Sequence, residues 1–563
     1  MQFINNNGQK GKGELKFIPI GGTTNVTKNM YVYEYGNDII VVDCGIGFPD
    51  SDMLGVDVVV PDIGYLLKNR EKVRGIIISH GHEDHFGALP YVLPELPVPV
   101  YATELVQGFI SNKLRDRNLK NVSQKLIDVN KTVLNLGAFE VSFFHTNHSV
   151  PESMGLVIKT PVGTLVHAPD FKFDWTPVMG EPFDVARAVQ LTGGNVLSLA
   201  SDCLGASNSG YTASERDIAD TFNDLMDKAV GRQVLVTTVS SNISRISQAV
   251  KASLDHGRKV IIAGRSLNQN IGVATKLGLL AFPPGTFVEE EEAKKLPQGS
   301  LTYLVAGAYG QVGSALWRIA EGEHTHIEIA PHAAVIFSAD PIPGVHDQVD
   351  FIIDRLTSLG ADVYYSQIQE NLHVSGHGNQ GDLTMLAGIL KPKYFTPIGG
   401  TIHHMRAYRN LVEKMNVASD RIFELVEGQT LLFNGNGQAR LGPVVETTSV
   451  FVDGGQVGEI GNVVIRDRQA LSQDGILVIS VPYISSERRY LEKVQLVSRG
   501  FVYVKESQEL FNRAARAATQ VIKSLKPGAD FATVKAEIER DLSRFLFKQT
   551  GRNPIVLVSI VEI

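Results

Sequence analysis

Short apolar runs separated by helical patterns recur along the chain up to about residue 448. The runs Ile39–Val42, Gly75–Ser79, Thr164–His167, Val234–Thr238, Lys259–Ala263 and Ala334–Ser338 are strand-sized and rich in Val and Ile, which predicts strands. Between some of them lie amphipathic stretches, Ser214–Lys228 and Ser241–His256, which predict helices. This alternation predicts an α/β architecture. Several runs end directly in polar residues, at Asp43, His80 and Asp170. Functional sites on α/β sheets gather at such strand ends. The pattern changes near residue 448: Glu427–Gly442 is Gly/Asn-rich and turn-like, and Ser449–Ile460 opens a new unit. That unit closes with a charged helical stretch, Ala532–Arg544, and an apolar strand, Pro554–Val561. A separate C-terminal domain over 449–563 is expected. No internal repeat or low-complexity tract interrupts the chain.

Composition narrows the class. The 563 residues, 43% hydrophobic and 20% charged, suit an ordinary soluble globular protein of about three or four domains. A formal net charge of -7 gives no global basic field, so a nucleic-acid substrate would need a local basic channel or a metal to offset its phosphates. The two cysteines, Cys44 and Cys203, imply no disulfide framework and a reducing, cytoplasmic setting. Apolar runs such as Ile39–Val42 and Ile76–Ile78 fall far short of the roughly 20 residues a spanning helix needs, so no membrane association is expected.

The chemistry concentrates in His80-Gly81-His82-Glu83-Asp84-His85. Imidazoles and a carboxylate within six positions, directly after an apolar run, suit a borderline metal such as zinc. Further ligands must come from elsewhere. His148 follows the strand-like Phe139–Phe144, and Asp170 ends the run Gly163–Pro169. This set resembles the metallo-β-lactamase superfamily, in which two ions roughly 3.5–4 Å apart activate water and clamp the oxygens of a displacement.

The resemblance implies an αββα sandwich in which His80, His82 and His148 hold one zinc ion. Asp84 and His85 contribute to a second, Asp170 bridges both, and Asp43 orients the ligand loop. Manganese or magnesium are the alternatives to zinc. The segments HGHEDHFGALP (His80–Pro90), DFKFD (Asp170–Asp174), Ser201-Asp202 and TTVSSNISR (Thr237–Arg245) narrow it further. So do Gly264-Arg265-Ser266, PIPG (Pro341–Gly344), HVSGHG (His373–Gly378), Asp453–Asp467 and Ser498–Ser507. In order and spacing they resemble the β-CASP nucleases, and among these the ribonuclease J family, nearly end to end.

That resemblance divides the chain into a metallo-β-lactamase domain (1–215 and 371–448), an inserted α/β β-CASP domain (216–370) and a small α+β C-terminal domain (449–563). It implies zinc-dependent hydrolysis of RNA from the 5′ end, favouring 5′-monophosphate ends, with internal cleavage as well. It also implies a homodimer or homotetramer formed through the C-terminal domain. Asp84, Asp170 and His377 would act in catalysis. His373, Ser375 and His377 would grip a substrate phosphate, with Ser240, Ser241 and Asn242 near the RNA 5′ phosphate. Asp202 matches the acidic β-CASP motif. The HVSGHG segment is independently plausible as an anion site, because its glycines free the backbone and its side chains offer donors.

Three stretches depart from the family pattern. An ungapped count from HVSGHG places Gly399 where the last histidine of the second metal site is expected. Three outcomes follow from it: His403 or His404 replaces the histidine, water fills the position, or the second metal binds weakly in a weakened or rearranged site, which is the expectation. His167-Ala168-Pro169 stands where the family has Thr-Gly, and Ala306–Gly313 drifts from its Gly-Ser-Gln-Gly-Glu form. Two rival functions remain: an RNA-binding or assembly partner with a weakened metal site, and a metallo-hydrolase of small esters or thioesters.

Overall fold

The computed structural model describes residues 13–563 apart from 51, 343, 455, 459–460, 503–506 and 526–528. Parts of Pro341–Gly344, Asp453–Asp467 and Ser498–Ser507 therefore lie outside the described residues. The chain forms two compact units, Val59–Val450 with the segment ending at Phe48, and Phe451–Ile563 with Pro49–Val58.

In the first unit two sheets face each other. One runs in the order Ala439–Val444, Gln429–Phe433, Leu15–Gly21, Met30–Tyr35, Asp38–Val42, Val73–Ile77, Val100–Ala102 and Gln124–Leu126. The other runs Tyr394–Ile398, Val196–Asp202, Thr164–Ala168, Met154–Lys159, Phe139–His145 and Val133–Leu136. Side chains alternate across a strand, so one register builds two cores. The partners Phe143↔Leu156 and Ile158↔Leu165 point between the sheets, where they meet Phe17, Tyr33, Val42 and Phe433. Their neighbours Phe144, Val157, Val166 and Leu199 point outward, against the helices Val185–Thr192, Gln380–Leu390 and Ile402–Glu413. Burial on both faces explains why these strands read as continuous apolar runs. The helix Glu104–Asp116 lies on the side of the other sheet, which completes four layers.

The strands Val196–Asp202 and Tyr394–Ile398 pair directly, in parallel, although almost two hundred residues separate them. The intervening chain leaves the sandwich and builds a parallel sheet of its own, in the order Lys259–Ala263, Leu301–Val305, Val234–Thr237, Ala334–Phe337 and Asp362–Tyr364. Leu235, Val335 and Phe337 pack there against Leu316, Ile319, Ile352 and Leu356. The insertion thus returns the chain beside the strand end it left, next to Asp202.

In the second unit the central strand Ile476–Ile484 pairs in parallel with Ile555–Glu562 and antiparallel with Gln495–Arg499. One face packs Leu477, Ile479 and Val558 on the helices Gln508–Ser524 and Phe531–Thr550. The early segment Pro49–Val58 belongs to this unit, with Asp57 N donating to Val452 O at 2.8 Å.

Candidate metal centre

The strand Asp38–Val42 ends at Asp43, whose φ of 63° turns the chain sharply and buries the carboxylate completely. Asp43 accepts the Ser79 amide (2.8 Å), the Ser79 hydroxyl (2.9 Å) and a proton from His85 Nδ1 (2.8 Å). With its own proton given to Asp43, Ser79 Oγ is left to accept from His80 Nδ1 at 3.1 Å. One carboxylate therefore sets two rings, each with its Nε2 lone pair turned away. His148 Nδ1 faces the Gly376 carbonyl at 2.7 Å, and a carbonyl only accepts, so the His148 lone pair is also on Nε2. Ser149 Oγ lies 3.1 Å from His82 Nε2, which leaves Nδ1 of His82 as the inward nitrogen.

These lone pairs converge. His82 Nδ1 and His148 Nε2 are 3.0 Å apart, and Asp170 Oδ2 lies 3.6 Å from His80 Nε2 and 3.7 Å from His148 Nε2. The edges of a tetrahedron with metal–nitrogen arms of about 2.0–2.1 Å measure about 3.3 Å. His80 Nε2 is buried with no hydrogen-bond partner, an orphan that a cation satisfies. The donors of His80, His82, His148 and Asp170 fit a divalent metal.

A second group, Asp84, His85 and Asp170, shares the Asp170 carboxylate. Asp170 Oδ2 lies 3.2 Å from His85 Nε2, and Asp84 Oδ2 lies 3.6 Å from the same nitrogen. The fit is poorer here. The Asn29 amide sits 3.1 Å from His85 Nε2 and 3.4 Å from Asp84 Oδ2, so it already engages both. Gly399 contributes no side chain, and a Cβ built on it would lie 3.6 Å from Asp170 Oδ1 and 3.7 Å from Asp202 Oδ1. The position expected to carry the last histidine thus faces the carboxylates and is vacant of ligand atoms. His403 and His404 are turned to Thr401. The helix Ile402–Glu413 starts there, and both rings turn to the Thr401 hydroxyl, at 2.8 and 3.0 Å, in its capping turn. Neither joins a ligand group among the described residues.

A third group joins Asp170, Asp202 and His377. His377 Nδ1 donates to Asp202 Oδ2 at 2.8 Å, and its Nε2 lies 3.8 Å from Asp170 Oδ2. Asp202 also accepts the amides of Leu204 (2.9 Å) and Phe171 (3.3 Å). Gly376 is required in this loop, because a Cβ there would come within 2.4 Å of the His148 ring.

The electrostatics follow the geometry. Burial, reinforced by neighbouring imidazoles, holds His80 and His148 well below the usual histidine range, and burial pushes His82 down to about 3. Burial would raise Asp170, but the facing His85 and His377 outweigh it and hold the carboxyl well below the usual range. Burial would lower His377, but Asp202 and Asp170 raise it to about 9. Burial raises Asp84 to about 6 against the pull of His85.

Ser375 Oγ accepts the His377 amide at 3.0 Å, and His373 Nδ1 meets Arg245 at 2.8 Å. Ser240 and Ser241 directly precede Asn242, the N-cap of the helix Ile243–Asp255. Asn242 is buried, and its side chain is committed to capping that helix and to Glu215. Its amide nitrogen donates to Glu215 Oε1 at 3.4 Å. Asn29, Ser79, Ser149, Glu215 and Arg245 carry no ligand signature in sequence, and only the fold brings them to the site.

The chain is similar to known proteins along almost its whole length. Residues 23–219 match the metallo-beta-lactamase superfamily, 231–356 the ribonuclease J beta-CASP domain and 463–563 the ribonuclease J C-terminal domain. Residues 361–420 match the Zn-dependent metallo-hydrolase RNA specificity domain. Ribonuclease J2 of Bacillus subtilis (strain 168) is 33% identical over 557 residues, covering 99% of this chain and 100% of that protein. The chain belongs to the ribonuclease J family. Ribonuclease J 1 of Streptococcus pyogenes serotype M3 is 34% identical over 550 residues, covering 97% of this chain and 98% of the relative. A crystal structure of a protein of unknown function from Enterococcus faecalis V583 shares the fold, with a TM-score of 0.53 at 14% identity over 74% of this chain and 100% of that one. The metallo-β-lactamase sandwich, the β-CASP insertion and the C-terminal domain of the ribonuclease J family are thus all present.

Proposed function

We propose that this chain is a metal-dependent ribonuclease that hydrolyses RNA phosphodiesters at the Asp170 centre. The observation that carries the reading is the convergence of His80 Nε2, His82 Nδ1 and His148 Nε2 on Asp170. Each of these rings has its other nitrogen engaged outward, by Ser79, Ser149 or Gly376. A divalent ion held there supplies a Lewis acid that acidifies water and neutralises phosphate charge. His377, held by Asp202 with its Nε2 3.8 Å from Asp170 Oδ2, is placed to donate a proton to a leaving oxygen there. Asp84 and Asp170, which face each other across His85 Nε2, would orient the attacking water. The half-buried HVSGHG loop, backed by Arg245 and Lys172, offers donors to a phosphate.

The finer reading follows the family resemblance: zinc as the ion, degradation from the 5′ end with preference for a 5′ monophosphate, and internal cleavage in addition. Gly399 and Asn29 support a second metal site weaker than the first. Assembly as a homodimer or homotetramer through the C-terminal domain is supported by an apolar outer sheet face at Val497, Leu557 and Val561. Digestion of 5′-monophosphorylated against 5′-triphosphorylated RNA, with His82→Ala and Asp170→Ala as controls, tests the function. Faster loss of the monophosphorylated RNA, abolished in both variants, is expected. Intact RNA with zinc or manganese present overturns it. The vacant Gly399 position favours one alternative, an RNA-binding or assembly partner, which retained RNA binding without cleavage would establish.

A further inference from the structure

Arg245 lies outside every ligand group, yet its side chain is 1% exposed and all its donors are spent. Nε donates to Glu215 Oε1 at 2.7 Å, and Nη2 to Glu215 Oε2 at 2.7 Å and Val374 O at 3.1 Å. Nη1 donates to Ser338 O at 2.9 Å and meets His373 Nδ1 at 2.8 Å. A guanidinium has five N–H donors, no acceptor and a permanent charge. The contact with His373 therefore has a single polarity: Nδ1 of the imidazole accepts. The ring proton is then on Nε2, for which no protein partner is found among the described residues.

We infer that Arg245 is a positioning residue that fixes His373 as the neutral Nε2–H tautomer and so presents a hydrogen-bond donor to a phosphate oxygen of the RNA. Three parts of the chain meet at this guanidinium. Glu215 precedes the inserted sheet, Arg245 and Ser338 belong to the insertion, and His373 and Val374 follow it. Glu215 holds the fork by both oxygens, so the guanidinium plane cannot turn without breaking the pair. A movement of the insertion is thereby transmitted to the ring that faces the phosphate. Burial, with Arg245 and Lys172 nearby, also keeps His373 uncharged. Neutrality makes His373 a directional donor.

The ligand named here rests on the proposed ribonuclease function; the tautomer does not. The experiment is nitrogen NMR of the full chain labelled with 15N-histidine, without RNA, with His373 assigned by its loss in His373→Gln. A pyridine-type Nδ1 and a pyrrole-type Nε2 at His373 are expected. The reverse tautomer or a doubly protonated ring overturns the inference, and this measurement on the unmutated protein needs no variant to fold. In steady-state cleavage, Arg245→Lys has too few donors for this arrangement. It is expected to raise KM about tenfold, the worth of one hydrogen bond to a charged group, with little change in kcat. His373→Ala is expected to match it, and His373→Gln, which keeps an amide donor, to recover most of the loss. A fall in kcat with unchanged KM overturns the positioning role. The expected tautomer in a protein that cleaves no RNA overturns the ligand and leaves Arg245 as the residue that orients His373.

Discussion

His85 Nδ1 lies 2.8 Å from Asp43 Oδ2, and the same carboxylate is also the anchor of Ser79. Asp43 thus governs one ring in each of two ligand groups that share Asp170: His85 directly, and His80 through the Ser79 hydroxyl. Replacing Asp43 by Asn removes the charge that fixes the His85 tautomer and sets an amide nitrogen against donors. Loss of such an orienting partner typically costs 10–100-fold in metal affinity. Calorimetric titration of Asp43→Asn with zinc is expected to show a loss of that order at both sites, because both rings depend on one carboxylate. Unchanged affinity at the His80 site would break the proposed relay through Ser79.

Gly399 makes the opposite prediction, a gain. Its Cβ position meets nothing nearer than the carboxylate oxygens of Asp170 and Asp202, so a side chain has room to leave the backbone toward them. Its φ of +68° costs an L-residue about 1 kcal/mol. Gly399→Ala is expected to lower stability by about that amount and leave metal binding unchanged. Gly399→His supplies the missing imidazole and is expected to tighten the second of two zinc-binding events. Element analysis after gel filtration reads this directly: the metal retained per chain should rise in Gly399→His and not in Gly399→Ala.

Much of the site was legible before the fold. His80, His82, Asp84 and His85 fall within one strand-to-helix turn, so local spacing alone pointed to this cluster. His148 and Asp170 close their own strands and needed only the resemblance to be joined to that turn. Asn29 and Glu215 were not legible, and Arg245 only as the end of a motif without a role, because their roles exist only through partners far along the chain, such as Arg245 with His373 and Val374. The surroundings of His403 and His404 were hidden for a related reason: Thr401 starts a helix there and both rings turn to its hydroxyl. The assignment of Pro49–Val58 to the C-terminal unit was equally hidden, since no shift in composition marks that segment.

Glu34 provides a pH-dependent test of the sandwich itself. Burial would raise its carboxyl, but the Tyr65 hydroxyl, Lys72 at 3.0 Å and Lys16 at 3.2 Å outweigh burial and lower it from 4.5. An acid lowered on folding stabilises the fold at pH above its unfolded value, and that contribution disappears as pH falls through the folded value. Both lysines are about one-third exposed, so solvent screening limits the effect to about 1 kcal/mol. Glu34→Gln is expected to melt below the unmutated protein at pH 7, and the two curves should converge below about pH 4. A difference that persists undiminished at pH 3 would assign the loss to packing.

The proposed assembly through the C-terminal unit can be separated from its folding, because the two faces of its sheet do different work. Leu477, Ile479 and Val558 point to the helices, whereas Val478 stands between Val497 and Leu557 in one row across the other face. Val497 is 55% exposed and Leu557 50% exposed, and Val561 extends the same face two residues beyond Ser559. Substituting both Val497 and Leu557 with Glu puts charges where an isologous contact would need to close, while the inner core is untouched. Light scattering is expected to show a dimer or larger species for the unmutated chain and a monomer for the double variant. The melting of the monomer should change only through loss of the contact, so its dependence on protein concentration should vanish. An oligomer of unchanged mass in the double variant would place the interface elsewhere.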